Sequence, residues 1–176
     1  MNPQNTWIFG YGSLIWRPDF PYIEQSRARL NGWKRRFWQG SHDHRGTPDA
    51  PGRVVTLVPD GAYHCDGVAY LVSPEIISET FEVLDYREKN GYERHLISLH
   101  LIDQRVVPGV VYIAARDNFA YLGDASLEDI TTQISNSHGP SGHNTEYALE
   151  LAKALRHWQI DDEHVFSVAD RLKPTS

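Results

Sequence analysis

The first two-thirds of this chain read as mainly extended, with helical periodicity between and after the strand candidates. Trp7–Tyr11 is an apolar strand candidate. Arg53-Val-Val-Thr-Leu-Val-Pro59 is β-branched and closes at a proline. Gly67-Val-Ala-Tyr-Leu-Val72 reads as a separate strand, entered through the hairpin-type turn signal Asp66-Gly67. His95–Ile102 places Ile97, Leu99 and Leu101 on one face, the mark of a half-buried strand, and Gly109–Ala115 reads as a more fully buried one. Ser73-Pro74 fits an N-cap with proline at the first helical position, ahead of Ile77, Phe81 and Leu84 at helical spacing up to about Asp85. Ser126-Leu-Glu-Asp129 carries a capping-box pattern before Ile130 and Ile134. Asn144 is placed to cap a helix that aligns Ala148, Leu151, Ala152 and Leu155, and Val165, Val168, Ala169 and Leu172 repeat that spacing over about 163–172. Strands first and helices later predict an α+β fold. So many short strands call for a curled or barrel-like sheet, which removes exposed edges. Asp43–Gly52 and Gly139–Gly142, rich in Gly, Pro and polar residues, are predicted loops.

The length of 176 residues predicts one domain over 1–176. A net charge of −6 gives no general attraction to nucleic acid or anionic membrane. Cys65 is the only cysteine, which excludes an intramolecular disulfide and a cysteine-rich zinc site. The first residues carry neither a basic start nor an apolar stretch of signal-peptide length, and no segment approaches the ~20 apolar residues of a membrane helix. A cytoplasmic protein without a membrane segment is the expectation.

The chemistry-bearing candidates lie outside these regular segments. Phe9-Gly-Tyr-Gly-Ser-Leu14 runs an apolar strand into a bend whose two glycines flank Tyr11. Glycine accepts positive φ, so such a bend can aim successive N–H groups at one point and hold an anion. Taken alone, it is equally a strand-exit turn. Glu88 sits between Arg87 and Lys89 where a helix should end, just before the turn signal Asn90-Gly91. It is either a solvated helix end or a lone acid/base whose pKa partial burial lifts. Trp33-Lys-Arg-Arg-Phe-Trp38 interleaves basic and aromatic residues, as single-strand nucleic-acid binders do, but a strand would split the basic residues between both faces. His42 and His44 suggest a metal, yet no third ligand is evident from spacing. Cys65 has only the adjacent His64 as a partner, and Ser13 lacks the Gly-x-Ser-x-Gly pattern of a nucleophile elbow. Gly139–Tyr147 leads into a helix N-terminus whose N–H groups could extend an anion site.

Several segments together resemble the ChaC-like γ-glutamylcyclotransferases. They are Phe-Gly-Tyr-Gly-Ser-Leu-Ile-Trp, Arg-Arg-Phe-Trp-Gln-Gly-Ser with His-Arg-Gly, and Pro-Gly-Arg-Val-Val-Thr-Leu. Leu-Asp-Tyr-Arg-Glu-Lys-Asn-Gly-Tyr, Tyr-Leu-Gly near residue 121, and Gly-Pro-Ser-Gly-His-Asn-Thr-Glu-Tyr complete the set, in order from about residue 7 to 158. The resemblance implies a small mixed β-barrel flanked by helices. It implies cleavage of glutathione to 5-oxoproline and cysteinylglycine, with no metal or organic cofactor. It implies a small-molecule substrate, with no nucleic acid, membrane or obligate protein partner. The family's γ-glutamyl-holding loop maps onto Tyr11, Gly12, Ser13 and Leu14, with Phe9 and Gly10 leading in. Its acid/base glutamate maps onto Glu88, while Tyr147 and Asn144 match a later motif. In that role Glu88 calls for Arg87 and Lys89 to point away, since direct pairing would weaken the base. The rival readings are a cyclotransferase for other γ-glutamyl compounds, a non-catalytic γ-glutamyl-binding regulator, and a nucleic-acid module on residues 33–46.

Overall fold

A computed structural model describes residues 4–89 and 91–172, so Asn90 of the Asn90-Gly91 turn signal lies outside the described residues. Strand β1 (Thr6–Gly10) is followed by one 3-10 turn, Ser13–Ile15. Two long strands come next, β2 (Glu24–Ser41) and β3 (Gly52–Val72). Helix α1 (Ile77–Arg87) separates them from β4 (Tyr92–Leu101) and β5 (Val106–Ala114). Then come α2 (Leu127–Ser135), the two-residue strands β6 (His138–Gly139) and β7 (Gly142–His143), α3 (Asn144–His157) and α4 (Glu163–Leu172). The long strands close a barrel in the order β1-β3-β2-β4-β5. Every neighbouring pair is antiparallel except β5 with β1, which is parallel with Trp7 opposite Gly109. Closure pairs the edges that so many strands would otherwise expose.

Strand β1 is buried on both faces, and successive residues point to opposite sides. Phe9 joins the large core that α2, α3 and α4 complete with Ile134, Leu151 and Val168. Ile8 joins a smaller core beneath α1 with Leu14, Val72, Leu84 and Tyr112. Two buried faces explain why Trp7–Phe9 is apolar without alternation. The α3 and α4 positions picked out by periodicity are buried, with Leu172 partly so. The Ser126 hydroxyl accepts the Asp129 N–H at 3.0 Å, as the capping pattern predicts.

Four local expectations are corrected. Arg53–Pro59 and Gly67–Val72 belong to one strand, and Asp66-Gly67 is not a turn. Asp66 instead pairs with Arg27 at 3.1 Å and Arg29 at 2.8 Å from the adjacent strand. A Cβ on Gly67 would lie 2.3 Å from the Gly10 carbonyl oxygen, so this glycine serves a close backbone approach. The chain does bulge nearby: residues 60–63 of β3 stand opposite Gly32 alone, which adopts φ +87°. Helix α1 begins at Ile77 rather than at Pro74, because Ser73–Ile76 closes a separate turn through an Ile76 N–H to Ser73 carbonyl bond of 3.3 Å. Asn144 is the first helical residue of α3 and not its cap, since its amide is occupied by β3. Gly139–Gly142 is the turn of the small β6–β7 hairpin, with Gly142 at φ +118°. No described helix is long and apolar enough to cross a membrane.

Candidate active site

The bend after β1 is held by groups distant in sequence. Arg35, whose side chain is 1% exposed, donates from Nε to the Tyr11 carbonyl at 2.7 Å. The same guanidinium reaches the Asp66 carbonyl and, at 2.5 Å, the Asp162 carboxylate. The Tyr70 hydroxyl lies 2.7 Å from the Leu14 carbonyl and 3.1 Å from that of Ile15. Neither Gly10 nor Gly12 has positive φ, contrary to the expectation for this bend. Space is the reason for glycine here. A Cβ on Gly10 would lie 2.8 Å from Leu14 Cβ, and one on Gly12 would lie 3.1 Å from Val55 Cγ2 and 3.2 Å from the Tyr147 hydroxyl. Ser13 and Leu14 open the 3-10 turn, so their N–H groups have no acceptor within it. That end of a turn suits an anion.

The bend forms one wall of a cavity of about 180 Å³. Phe9, Tyr11, Gly12, Ser13, Leu14, Glu88 and Tyr147 all line it, whereas Gly10 does not. Arg45, His44, Arg87 and Tyr92 also line it, and sequence reasoning assigned them no place there. Their signal was present in the His-Asp-His-Arg and Tyr-Arg-Glu-Lys runs, the first within a polar loop and the second at a charged helix end, but spacing gave these four residues no individual role.

Glu88 is the residue that ends α1, where its N–H donates to the Leu84 carbonyl at 2.9 Å. The chain then leaves through Gly91 at φ +103°, a helix exit open to glycine. The Glu88 side chain is 19% exposed. Burial raises its pKa above the ordinary carboxylate value; the Arg87 cation and His44 oppose the rise, and Asp43 adds to it. Arg87 does not point away, as its Nε lies 3.8 Å from Glu88 Oε1. Its other N–H groups go elsewhere: Nη2 donates to Ser13 Oγ at 2.6 Å and Nη1 to the Arg17 carbonyl at 2.9 Å. Lys89 does turn aside, with Nζ 4.2 Å from the centre of the Tyr86 ring.

Tyrosines surround this carboxylate. The Tyr11 hydroxyl donates to the Tyr112 carbonyl at 2.5 Å, and that of Tyr92 to the Val55 carbonyl at 2.8 Å. The Tyr147 hydroxyl accepts the Val55 N–H at 3.3 Å, which leaves its own proton to donate. Burial pushes the Tyr147 phenol up to about 12, so it is a neutral donor at physiological pH.

The alternative chemistries find other settings. The His44 ring bridges Ser141 Oγ at 3.3 Å and the Arg87 carbonyl at 3.2 Å, tying the hairpin turn to the end of α1. Among the described residues, no group of three or more His, Cys, Asp or Glu is placed to hold a metal. Burial raises the Cys65 thiol to about 12, which leaves almost no thiolate. Of the basic run, Arg35 is buried in the core, and Lys34 and Arg36 stack on the Tyr63 ring.

The closed mixed barrel with its helical cover is a γ-glutamylcyclotransferase-like fold. It superposes with a TM-score of 0.91 on a glutathione-specific γ-glutamyl cyclotransferase from yeast, at 32% identity over 97% of this chain and 96% of that one. The chain belongs to the ChaC-like protein family, whose model matches residues 6–174. It is 43% identical over 175 residues to glutathione-specific γ-glutamylcyclotransferase 1 of Danio rerio, covering 96% of this chain and 89% of that protein. Identity to the Homo sapiens protein of the same name is also 43%, over 177 residues, covering 97% and 80%.

Proposed function

We propose that this protein is a γ-glutamylcyclotransferase that cleaves glutathione to 5-oxoproline and cysteinylglycine, with Glu88 as general base and then general acid. One observation carries the proposal: a carboxylate whose pKa burial raises shares a small cavity with Tyr11, Gly12, Ser13 and Leu14 of the bend. Ionised Glu88 takes a proton from the substrate α-ammonium, which frees the nitrogen lone pair. The amine attacks the γ-carbonyl carbon of the same glutamyl unit, and a new C–N bond closes the five-membered ring. Negative charge moves onto the carbonyl oxygen, where N–H groups of the bend and the Tyr147 O–H are positioned as donors. As the oxyanion collapses, the bond to the cysteinyl nitrogen breaks and protonated Glu88 delivers its proton there. The ring nitrogen, cationic since the attack, then gives up its second proton to the ionised Glu88, which passes it to the departing amine, leaving a neutral lactam and a cysteinylglycine ammonium.

Nucleophile and electrophile belong to one molecule, so the protein supplies the attacking rotamer, proton transfer and charge stabilisation. Orientation of this kind contributes several kcal/mol, and general acid–base help about 10²–10⁴ in rate. The reaction as written consumes no cofactor and no water. Ser13 is not a nucleophile in it; its Oγ already accepts from Arg87. Phe9 and Leu14 supply apolar wall beside the γ-glutamyl head, and Gly10 admits Leu14 to its place. A cytoplasmic location for a single folded domain completes the proposal and is open to cell fractionation.

Incubation with glutathione, γ-glutamyl-alanine and γ-glutamyl-lysine, followed by mass detection of 5-oxoproline, tests the substrate. Release from glutathione alone is expected. Glu88→Gln keeps the shape and removes proton transfer, so it should lower kcat by at least about 10²-fold. A folded Glu88→Gln variant at near wild-type rate refutes the assignment of the base.

A further inference from the structure

The hydrogen bonds that Arg87 directs at Ser13, Arg17 and Asp19 distinguish it from a solvated residue at a helix end. Its side chain is 17% exposed and passes between the end of α1 and the bend. Nη2 donates to Ser13 Oγ at 2.6 Å. Nη1 donates to the Arg17 carbonyl at 2.9 Å and approaches Asp19 Oδ2 at 3.4 Å. Nε remains within 3.8 Å of Glu88 Oε1, too long for a hydrogen bond but close enough for charge to act. The Arg87 carbonyl is itself engaged by His44 at 3.2 Å. A planar guanidinium presents several donors in a fixed fork, which a lysine ammonium cannot reproduce.

We propose that Arg87 is a positioning residue, a strut that fixes the carboxylate of Glu88 against the Tyr11–Leu14 bend by binding Ser13 and the Arg17 backbone on the far side of the cavity. The inference rests on the proposed cyclotransferase reaction and adds a residue to it. Glu88 belongs to a helix end, and the bend belongs to a strand end. Between them Arg87 supplies a side-chain bridge of 2.6 Å to Ser13 Oγ. Without it, no side-chain bond from Arg87 joins the end of α1 to the bend, and the distance between acid and bend is less closely held. Its charge has a second effect, because a cation beside Glu88 restrains the rise that burial imposes. The other groups facing Glu88 are His44 and Asp43 from the loop after β2, Tyr11 from the bend, Tyr92 from β4, Tyr112 from β5 and Tyr147 from α3. Arg17 and Arg45 line the same cavity, and Arg87 is the arginine whose charge acts on Glu88 most directly, with Nε 3.8 Å from Oε1.

The test is steady-state kinetics of 5-oxoproline release from glutathione across pH for wild type, Arg87→Gln, Arg87→Lys and Ser13→Ala/Arg87→Gln. Thermal melts establish that each variant is folded. Arg87→Gln should lower kcat by about 10²-fold, the scale of a misplacement of about 1 Å, with KM changed less than kcat. The acidic limb of kcat/KM should move to higher pH, since the lost cation had favoured the ionised carboxylate. Arg87→Lys should hold that limb near its wild-type position yet recover only part of kcat. Adding Ser13→Ala to Arg87→Gln should reduce kcat by less than twofold further, because the strut is already gone.

A folded Arg87→Gln enzyme within twofold of wild-type kcat and with the limb unmoved overturns the inference. So does a rise in KM at constant kcat, which would mean that Arg87 contacts the substrate directly. Should Arg87→Gln fail to fold, Arg87→Lys decides alone: lowered kcat at unchanged limb supports the strut, and wild-type kcat overturns it. A wild-type protein that releases no 5-oxoproline refutes the reaction itself, an outcome distinct from all of these.

Discussion

Asn144 holds the Arg53 peptide from both sides: its Oδ1 accepts the Arg53 N–H at 2.7 Å, and its Nδ2 donates to the Arg53 carbonyl at 2.8 Å. Asn144 is fully buried, so both bonds form away from water. They join α3 to β3 beside the cavity, three residues ahead of Tyr147 and two ahead of Val55. The bond from the Val55 N–H to the Tyr147 hydroxyl repeats that connection one step further along each element.

Asn144→Ala should therefore destabilise the protein by about 2–4 kcal/mol, because it leaves a buried peptide N–H and carbonyl unpaired. Urea unfolding monitored by tryptophan fluorescence checks this. An unchanged midpoint would mean that the Arg53 peptide finds water. Asn144→Asp should lie between the two, since Oδ1 persists while the Nδ2 donor is lost.

Glu88→Gln should raise stability at neutral pH while it lowers kcat by at least about 10²-fold. The folded-state pKa of Glu88 lies above its unfolded value, because burial disfavours the charge. Between those two values the folded state binds more protons than the unfolded one, so stability falls as pH rises through that window. Below the unfolded pKa both states are protonated and the glutamine gains nothing. Melting temperatures at acidic and neutral pH decide it: the advantage of Glu88→Gln should grow with pH. A constant difference, or a reversed one, contradicts the raised pKa.

Gly12→Ala should impair activity more than stability. The added Cβ would meet Val55 Cγ2 at 3.1 Å and the Tyr147 hydroxyl at 3.2 Å, both tight enough to force small shifts. We expect a loss of about 1–2 kcal/mol in stability together with about 10²-fold in kcat/KM. Gly10→Ala makes the useful comparison, since its Cβ would lie 2.8 Å from Leu14 Cβ and must displace the 3-10 turn itself. It should be the less stable of the two.

Cys65 should resist alkylation in the native state. Its thiol is buried and raised to about 12 by that burial, which removes both access and thiolate. Titration with a thiol-reactive chromophore should give no rapid reaction until denaturant is added. Modification of the folded protein at the rate of a free thiol would place Cys65 in a different environment.

Local periodicity made most elements legible before any contact was known. The alternation in His95–Ile102, the spacing of Ala148, Leu151, Ala152 and Leu155, and the Ser126 cap each depend on neighbours a few residues apart. Gly67 was misread because the chain alone does not reveal that the Gly10 carbonyl occupies the space a side chain would need. Asn144 was misread for a similar reason: a short amide ahead of a helix suits a cap, and its true partner is ninety-one residues away. Arg87 shows the same limit at the site itself. Its charge suggested that it should avoid Glu88, whereas the fork of N–H groups that directs it to Ser13 and Arg17 exists only after α1 packs beside the bend.

From its residues alone, this chain determined an α+β pattern, a glycine-flanked bend and a set of ordered motifs that resemble a family. Those properties are short in range, so a linear reading reaches them. Barrel closure decided the remainder. It brought Ser13 within 2.6 Å of Arg87, put Glu88 and the bend on one cavity, and buried Arg35 where its guanidinium holds the Tyr11 carbonyl at 2.7 Å. Burial then set the acidity of Glu88, because the free energy of a carboxylate depends on how much water its three-dimensional surroundings leave around it.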